Sequence, residues 1–281
     1  MTTFKITLAY DGTGFVGWQR QASGTSIQGL LEDALRELDG GPVTVIGAGR
    51  TDGGVHALGQ VAACSLKRSI SADALLRAMN ARLPPAVRIV AAEEAPPGFH
   101  ARFSARAKTY RYRIWNGDVV SPFERQYAWH VTGDLDIERM ASAARLVEGR
   151  HDFAAFQATG SETQTSEREV FSSRICKLST TADTEDAEEH IPGSIHSDLR
   201  VLRALCGGEL IHYEITGGGF LRHMVRTIVG TLVEIGRGRR TVESMAETIR
   251  SRDRGAAGMT APPEGLFLVA VSYETPLAAE R

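Results

Sequence analysis

Cysteine is nearly absent. The chain holds three, Cys64, Cys176 and Cys206, odd in number, far apart and without a CxxC pair, so neither a disulfide framework nor a zinc site is indicated. Long apolar runs are missing too. None approaches the roughly 18 to 20 residues that a membrane span needs, and Met1-Thr-Thr-Phe-Lys5 leads into a strand-like segment rather than a signal peptide. A cytoplasmic location is the expectation. Lysine is scarce: four stand against 28 arginines. Arginine forks suit phosphate and stack on bases, but a GC-rich genome produces the same bias, so the skew alone decides nothing. The net charge of −2 argues against a nucleic-acid partner only until its distribution is read. Between Ser179 and Ser197 lie five acids (Asp183, Glu185, Asp186, Glu188, Glu189) and no Lys or Arg, which leaves +3 for the rest of the chain.

What is present is an ordinary globular composition, 42% hydrophobic and 23% charged, in a length that suggests two domains. Phe4 to Tyr10 alternates apolar and polar residues as a strand does. A helix follows, with Thr25-Ser-Ile-Gln28 as its capping box and Gly40-Gly41 as its stop. Val43 to Ile46 and Gln60 to Ser65 read as short strands, Ser71 to Leu83 as a helix stopped by Pro84-Pro85, and Val87 to Ala91 as another strand. Lys108 to Trp115 alternates so that Tyr110, Tyr112 and Ile114 share one face while Arg111, Arg113 and Trp115 share the other. Helices are expected near Asp136 to Val147, Phe220 to Ile235 and Thr241 to Ser251. Strands are expected at Val170 to Leu178, Glu209 to Thr216 and Leu266 to Tyr273. The acidic stretch near 179–197 reads as a solvated insertion in the Val170–Glu209 strand pair. The pattern is α+β, divided into residues 1–105 and 106–281.

Two loops could carry chemistry. Gly12-Thr-Gly-Phe-Val-Gly17 matches the dinucleotide fingerprint after a strand, but that motif must open a helix that holds pyrophosphate. Here Trp18 to Gly24 intervenes, and Asp33 and Glu37 fall inside the helix, so the match does not predict nicotinamide binding. The second loop, Gly47 to Ala57, is rich enough in glycine for its backbone to approach a ligand closely. Arg50 and Asp52 sit two apart, so an extended segment points a cation and a carboxylate the same way. The same spacing also suits a turn whose Asp bonds local amides. His56 has no partner motif for triad or metal chemistry.

Six segments in order resemble the tRNA pseudouridine synthase A (TruA) family over residues 4 to 273. They are Tyr10-Asp-Gly-Thr-Gly-Phe-Val-Gly-Trp-Gln-Arg-Gln21, Gly49-Arg-Thr-Asp-Gly-Gly-Val-His-Ala57, Phe99-His-Ala-Arg-Phe-Ser104, Tyr110-Arg-Tyr112, Arg222-His-Met-Val-Arg-Thr-Ile-Val-Gly230 and Glu264-Gly-Leu-Phe-Leu-Val269. The resemblance implies two ferredoxin-like (RNA-recognition-like) halves with joined, mostly antiparallel sheets and a catalytic cleft between them. It implies Asp52 as the catalytic aspartate, Tyr110 against the target base, and Arg226 as the basic partner of the carboxylate. Leu266 becomes an apolar wall and Arg50 a side chain that reaches into the RNA. The substrate it implies is uridine at positions 38 to 40 of the tRNA anticodon stem-loop, converted without cofactor or metal by a homodimer that grips one tRNA.

Two other classes compete. A non-catalytic RNA-binding module would show a Gly-Phe-rich strand signature, which is missing. A carboxylate-dependent hydrolase would want a second acid near Asp52, and Asp11 is the only other strong loop acid. The step Asp52 takes stays open between attack at C1′, addition at C6 and removal of the C2′ proton. Tyr110 is a candidate for taking the C5 proton, although a phenol with a pKa near 10 is weak in that role unless perturbed.

Overall fold

A computed structural model describes residues 1–160, 165–178 and 208–274; the acidic stretch and Cys206 lie outside them. Among the described residues the chain is α+β, with mostly antiparallel strand pairs. It divides into two compact units. One comprises Met1–Tyr110, Thr216–Gly219 and the chain from Phe267; the other comprises Arg111–Ile215 and Phe220–Leu266.

In the first unit β1 (Thr2–Tyr10) buries Phe4, Ile6, Leu8 and Tyr10 on one face, the period of two that its sequence shows. It pairs antiparallel with β3 (His56–Leu66) on one side and β4 (Val87–Glu94) on the other. β10 (Leu266–Ser272) joins β3 in parallel through Phe267–His56 and Leu268–Ala57, giving the order β4-β1-β3-β10. Helix α1 (Ile27–Asp39) buries Ile27, Leu31, Leu35 and Leu38, and left-handed Gly40 closes it. Its cap is Ser26, whose Oγ accepts the Gly29 N–H at 3.1 Å, rather than a box begun by Thr25. Gln28 instead accepts the Arg20 N–H and donates to the Val45 carbonyl. That bond, with Glu32 accepting the Val45 N–H, explains why Val43 to Ile46 is not the expected strand. Side chains of α1 occupy the Val45 backbone, so pairing with β3 is confined to β2 (Ile46–Gly47). Helix α2 (Ala72–Asn80), capped by Ser71, is tied to β4 by the Asn80 amide, which bonds both backbone groups of Ile89.

In the second unit the order is β5-β9-β8-β7, with β6 parallel on β5. These are β5 (Ala107–Asn116), β6 (Trp129–Val131), β7 (Gly149–Asp152), β8 (Glu167–Leu178) and β9 (Glu209–Gly217); the ends Ala107–Tyr110 and Thr216–Gly217 fall in the first unit. Tyr110, Tyr112 and Ile114 are buried, as their alternation predicts. Trp115, from the opposite face, is fully buried as well, because Gly208 leaves room for its indole and the Val119 carbonyl accepts from Nε1 at 2.8 Å. Helices α3 (Ile137–Arg145), α4 (Met224–Gly236) and α5 (Ser244–Ser251) complete this unit. α4 starts later than expected. His223 is left-handed, φ 64°, so Phe220 to Arg222 precede the helix, and Arg222 and Arg226 do not share a helical stripe.

Glu214 on β9 receives Arg111 from β5 at 2.9 Å and Arg174 from β8 at 2.6 Å. Burial raises its pKa, but the guanidinium hydrogen bonds of Arg174 and Arg111 outweigh burial and hold the carboxyl below its usual value. A carboxylate depressed on folding stabilises above its unfolded pKa, about 4.3, and that contribution is lost as pH falls through the folded value. Glu214→Gln is therefore expected to lower the urea midpoint at pH 7 and to lose much of that deficit at pH 3.5. A deficit that stays constant would mean the group acts by packing alone.

Candidate active site

The Asp52 loop is built by contact between two stretches of backbone. Thr51 is buried while Arg50 is exposed and Asp52 half-buried, the alternation of an extended segment. The Thr51 hydroxyl bonds the Tyr10 hydroxyl at 2.8 Å, and its carbonyl accepts the Trp18 N–H at 3.0 Å. Gly17 forms an antiparallel bridge with Asp52. This closeness requires glycine twice. A Cβ at Gly12 would fall on the Val55 carbonyl, and one at Gly17, where φ is +107°, would lie 2.6 Å from the Thr51 carbonyl. The turn after Asp52 has its carbonyl accepting the Val55 N–H at 3.2 Å, with Gly54 left-handed.

His56 anchors the far end of this seam. It is buried, stacks on Phe267 with centroids 4.7 Å apart, and its Nδ1 accepts the Gly12 N–H at 3.0 Å. Asp11 Oδ1 lies 3.2 Å from the same nitrogen, so a neutral ring takes the amide and a protonated one the carboxylate. Sequence reading missed this residue because its partners are a backbone amide and a ring far along the chain. The available signal was the run of glycines in the preceding loop, which open no helix and so must serve a close approach.

Tyr110 is buried in the same unit as Asp52. Burial first, then the negative charges of Tyr10 and Asp52, push its phenol well above the usual range. Tyr10 is likewise pushed up to about 12 by burial, against the lowering effect of its bonds to Thr51 and Gln60. Neither phenol is available as phenolate at neutral pH, so the perturbation at Tyr110 runs against a base.

In the second unit Arg226 lies in the first turn of α4, half-buried. It is fixed twice by one residue: Nε donates to the Ala261 carbonyl at 2.7 Å, and its own carbonyl accepts the Ala261 N–H at 3.1 Å. Gly230 lets the strap that carries Ala261 lie flat on the helix, since a Cβ there would fall on the Met259 carbonyl. Thr231 Oγ1 accepts the Gly258 N–H at 2.9 Å on the same face. Leu266 is buried at the start of β10, after a 3-10 turn at Pro263–Gly265. There the Tyr112 hydroxyl donates to the Pro262 carbonyl and its ring covers Gly265.

Both constructions lie within segments that match a known family. The family model described as tRNA pseudouridine synthase matches residues 6–104 and 143–274. The chain belongs to that family. Among its curated relatives named tRNA pseudouridine synthase A, that of Solibacter usitatus is 43% identical over 276 residues, spanning 97% of this chain and all of the relative. That of Geobacter sulfurreducens is 42% identical over 273 residues, with 97% and 100% covered. That of Syntrophotalea carbinolica is 41% identical over 273, with 97% of each covered.

In this synthase chain Asp52, Arg50 and Tyr110 belong to the first unit, Arg226 and Leu266 to the second. Some arginines bond carboxylates and carbonyls within the fold. Arg20 bonds Glu32, Asp33 and the Gly29 carbonyl; Arg240 bonds Glu234 and the Ala256 carbonyl. Arg222 and Arg239 are exposed. Among the described residues no group of three or more His, Cys, Asp or Glu could hold a metal ion, and no helix is long and apolar enough to cross a membrane.

The glycine seam makes a graded expectation. Gly14 is left-handed with nothing within 4 Å of a Cβ, so Gly14→Ala meets only backbone strain, roughly 1–2 kcal/mol. Gly17→Ala adds to that strain an overpacking penalty of about 1–3 kcal/mol, because it also forces two backbones apart, while Gly12→Ala, with no positive φ, meets the clash alone. Thermal or urea unfolding of the three variants ranks them. Equal losses at Gly14 and Gly17 would remove the seam from the account.

Proposed function

We propose that this chain isomerises uridine to pseudouridine in tRNA, at positions 38 to 40 of the anticodon stem-loop, with Asp52 as the catalytic carboxylate. The observation that carries the reading is Asp52 itself. It is a half-buried acid on a loop whose flanking backbone is pinned to a second loop, in a chain of the tRNA pseudouridine synthase family. The relatives' shared name, tRNA pseudouridine synthase A, supports the substrate class.

The reaction breaks C1′–N1, turns the base and forms C1′–C5. One hydrogen leaves C5 and one is gained at N1, so nothing is oxidised and no atom is lost. A base inside a stem must first leave its stack, at a cost of a few kcal/mol. Arg50, exposed and two residues from Asp52, is assigned to the space beside the extruded uridine, and buried Leu266 to an apolar wall. Tyr110 lies against the base as a ring. Burial raises its pKa in the free chain, which weighs against Tyr110 as the acceptor of the C5 proton and leaves water or another group for that step. Arg226, with its guanidinium steadied by Ala261, is assigned to face the carboxylate, since an opposite charge favours the ionised form that can act as nucleophile or base. The family resemblance further supports two ferredoxin-like halves with joined sheets and the catalytic cleft between them. It supports a homodimer gripping one tRNA, and work in the cytoplasm without cofactor or metal.

Asp52→Asn is nearly isosteric and cannot act as nucleophile or base. It is expected to abolish release of tritium from [5-³H]uridine tRNA while leaving tRNA binding within about tenfold. Retention of a tenth of wild-type turnover would sink the assignment, and wild-type protein that binds tRNA but releases no label is the outcome of a silent RNA-binding module. Arg226→Ala is expected to reduce single-turnover rate by about a hundredfold or more, with tRNA affinity much less affected. A variant that loses affinity alone would make Arg226 an RNA contact and not the partner of the carboxylate.

A further inference from the structure

The loop between β4 and β5 carries a feature that the proposed reaction does not use. Phe103 is 75% exposed, the most exposed aromatic side chain among the described residues, yet the turn that holds it is fixed at every backbone position around it. His100 N–H donates to Ser104 Oγ at 3.1 Å, and Ser104 N–H returns to the His100 carbonyl at 2.9 Å. The N–H groups of Arg102 and Phe103 both converge on His100 Nδ1 at 3.2 Å. The Ala101 methyl is fully buried, and its carbonyl accepts the Tyr273 hydroxyl at 2.8 Å. Tyr273 in turn packs on Phe99, with Lys5 over both rings.

A turn so constrained costs conformational freedom that a mobile surface loop would keep, and what it presents outward is an aromatic step. The Phe103 ring stacks on the His100 imidazole with centroids 4.3 Å apart, and the Arg102 guanidinium stands 5.6 Å from the Phe103 centroid. Arg102 is exposed and pairs with no carboxylate among the described residues. Rings backed by a guanidinium suit a ligand with a flat π-face and an anion attached, which describes a nucleotide. An apolar protein groove would leave that guanidinium unmatched.

We propose that His100, Arg102 and Phe103 form a stacking platform for an unpaired base of the RNA substrate other than the reacting uridine, with Arg102 on an adjoining phosphate. The proposal rests on the reading of the substrate as tRNA. It needs no movement of the turn, whose hydrogen bonds are already made within the chain.

The test is equilibrium binding of an unmodified tRNA transcript to the full chain across a salt series. Phe103→Ala is expected to weaken binding about tenfold to a hundredfold, the loss of one base–aromatic stack. Phe103→Tyr and Phe103→Trp should restore it, and Phe103→Leu should not, because leucine keeps the apolar area and loses the π-face. Arg102→Ala should flatten the slope of log affinity against log salt by about 1 unit, while Phe103→Ala leaves that slope as it is. Full binding by Phe103→Ala or Phe103→Leu overturns the platform. So does a change in sedimentation mass on Phe103→Ala without tRNA, which would make the turn a contact between copies of this chain. If the wild type neither binds nor isomerises tRNA, the function fails and the platform with it; if it does both and Phe103→Ala binds equally well, only the platform fails.

Discussion

Backbone can lie directly on backbone only where no side chain stands in the gap, and the geometry around Asp52 depends on that. At Gly12 and Gly17 the loop after β1 comes so close to Thr51, Asp52 and Val55 that even a methyl group has no place. Once the two segments touch, their polar groups find each other: Trp18 N–H with Thr51, Gly12 N–H with His56, Tyr10 with Thr51. A carboxylate on a free loop would sample many positions, and catalysis loses rapidly with misplacement on the ångström scale. Here the residue before Asp52 is buried and bonded and the residue that bridges it is glycine, so the acid inherits the rigidity of β1 and β3.

The second unit reaches the same end by another route. Arg226 sits on a helix, but a long side chain has many rotamers, and the helix alone does not choose among them. The choice is made by Ala261, whose carbonyl takes Nε while its N–H bonds the Arg226 carbonyl. Gly230 and Gly258 allow the strap to approach, and Thr231 holds it. Arg254 adds a clamp from the far side, on the Gly258 carbonyl and Thr260 Oγ1. In the first unit backbone groups fix the segment that carries the charge, and in the second they fix the charged side chain itself. Backbone is the less adjustable partner, and its position follows from glycines rather than from the chemistry of the charged residue.

This division explains what was legible in the sequence. Periodicity alone locates β1, α1, β5, α3 and the core of α4, because burial of one face is a local pattern. The expected helix starts at Ser71 and Asp136 coincide with the residues that cap α2 and α3. The departures have non-local or single-residue causes. Val43 to Ile46 carries strand-like residues whose backbone is taken by Gln28 and Glu32 of α1. Arg222 drops out of the helix because His223 adopts a left-handed backbone that propensity does not foresee. At the site, the spacing of Arg50 and Asp52 left an extended segment and a turn both open, and the burial of Thr51 between them fits the extended one. The purpose of Gly12 and Gly17, and the part His56 plays, depend on tertiary approach that no window of sequence contains.

Charge is where sequence counting misleads most. A composition with 28 arginines invites a broad phosphate-binding surface, yet Arg20, Arg111, Arg174 and Arg240 each bond a carboxylate inside the fold. Each such pair cancels in the net charge and also lessens what the arginine offers an RNA footprint, since part of its charge and some of its five N–H donors are already matched. Arg50, Arg102, Arg222 and Arg239, all exposed, have no such acid among the described residues. Affinity for a polyanion follows the charges that can release counterions from it, so arginines of this kind, with exposed Arg68, Arg77, Arg106, Arg125, Arg145 and Arg250 beside them, set the electrostatic reach of the described surface. A chain of net charge −2 can therefore still offer arginines to RNA, because five of its acids stand together in the stretch 179–197 and several others are matched by arginines within the fold.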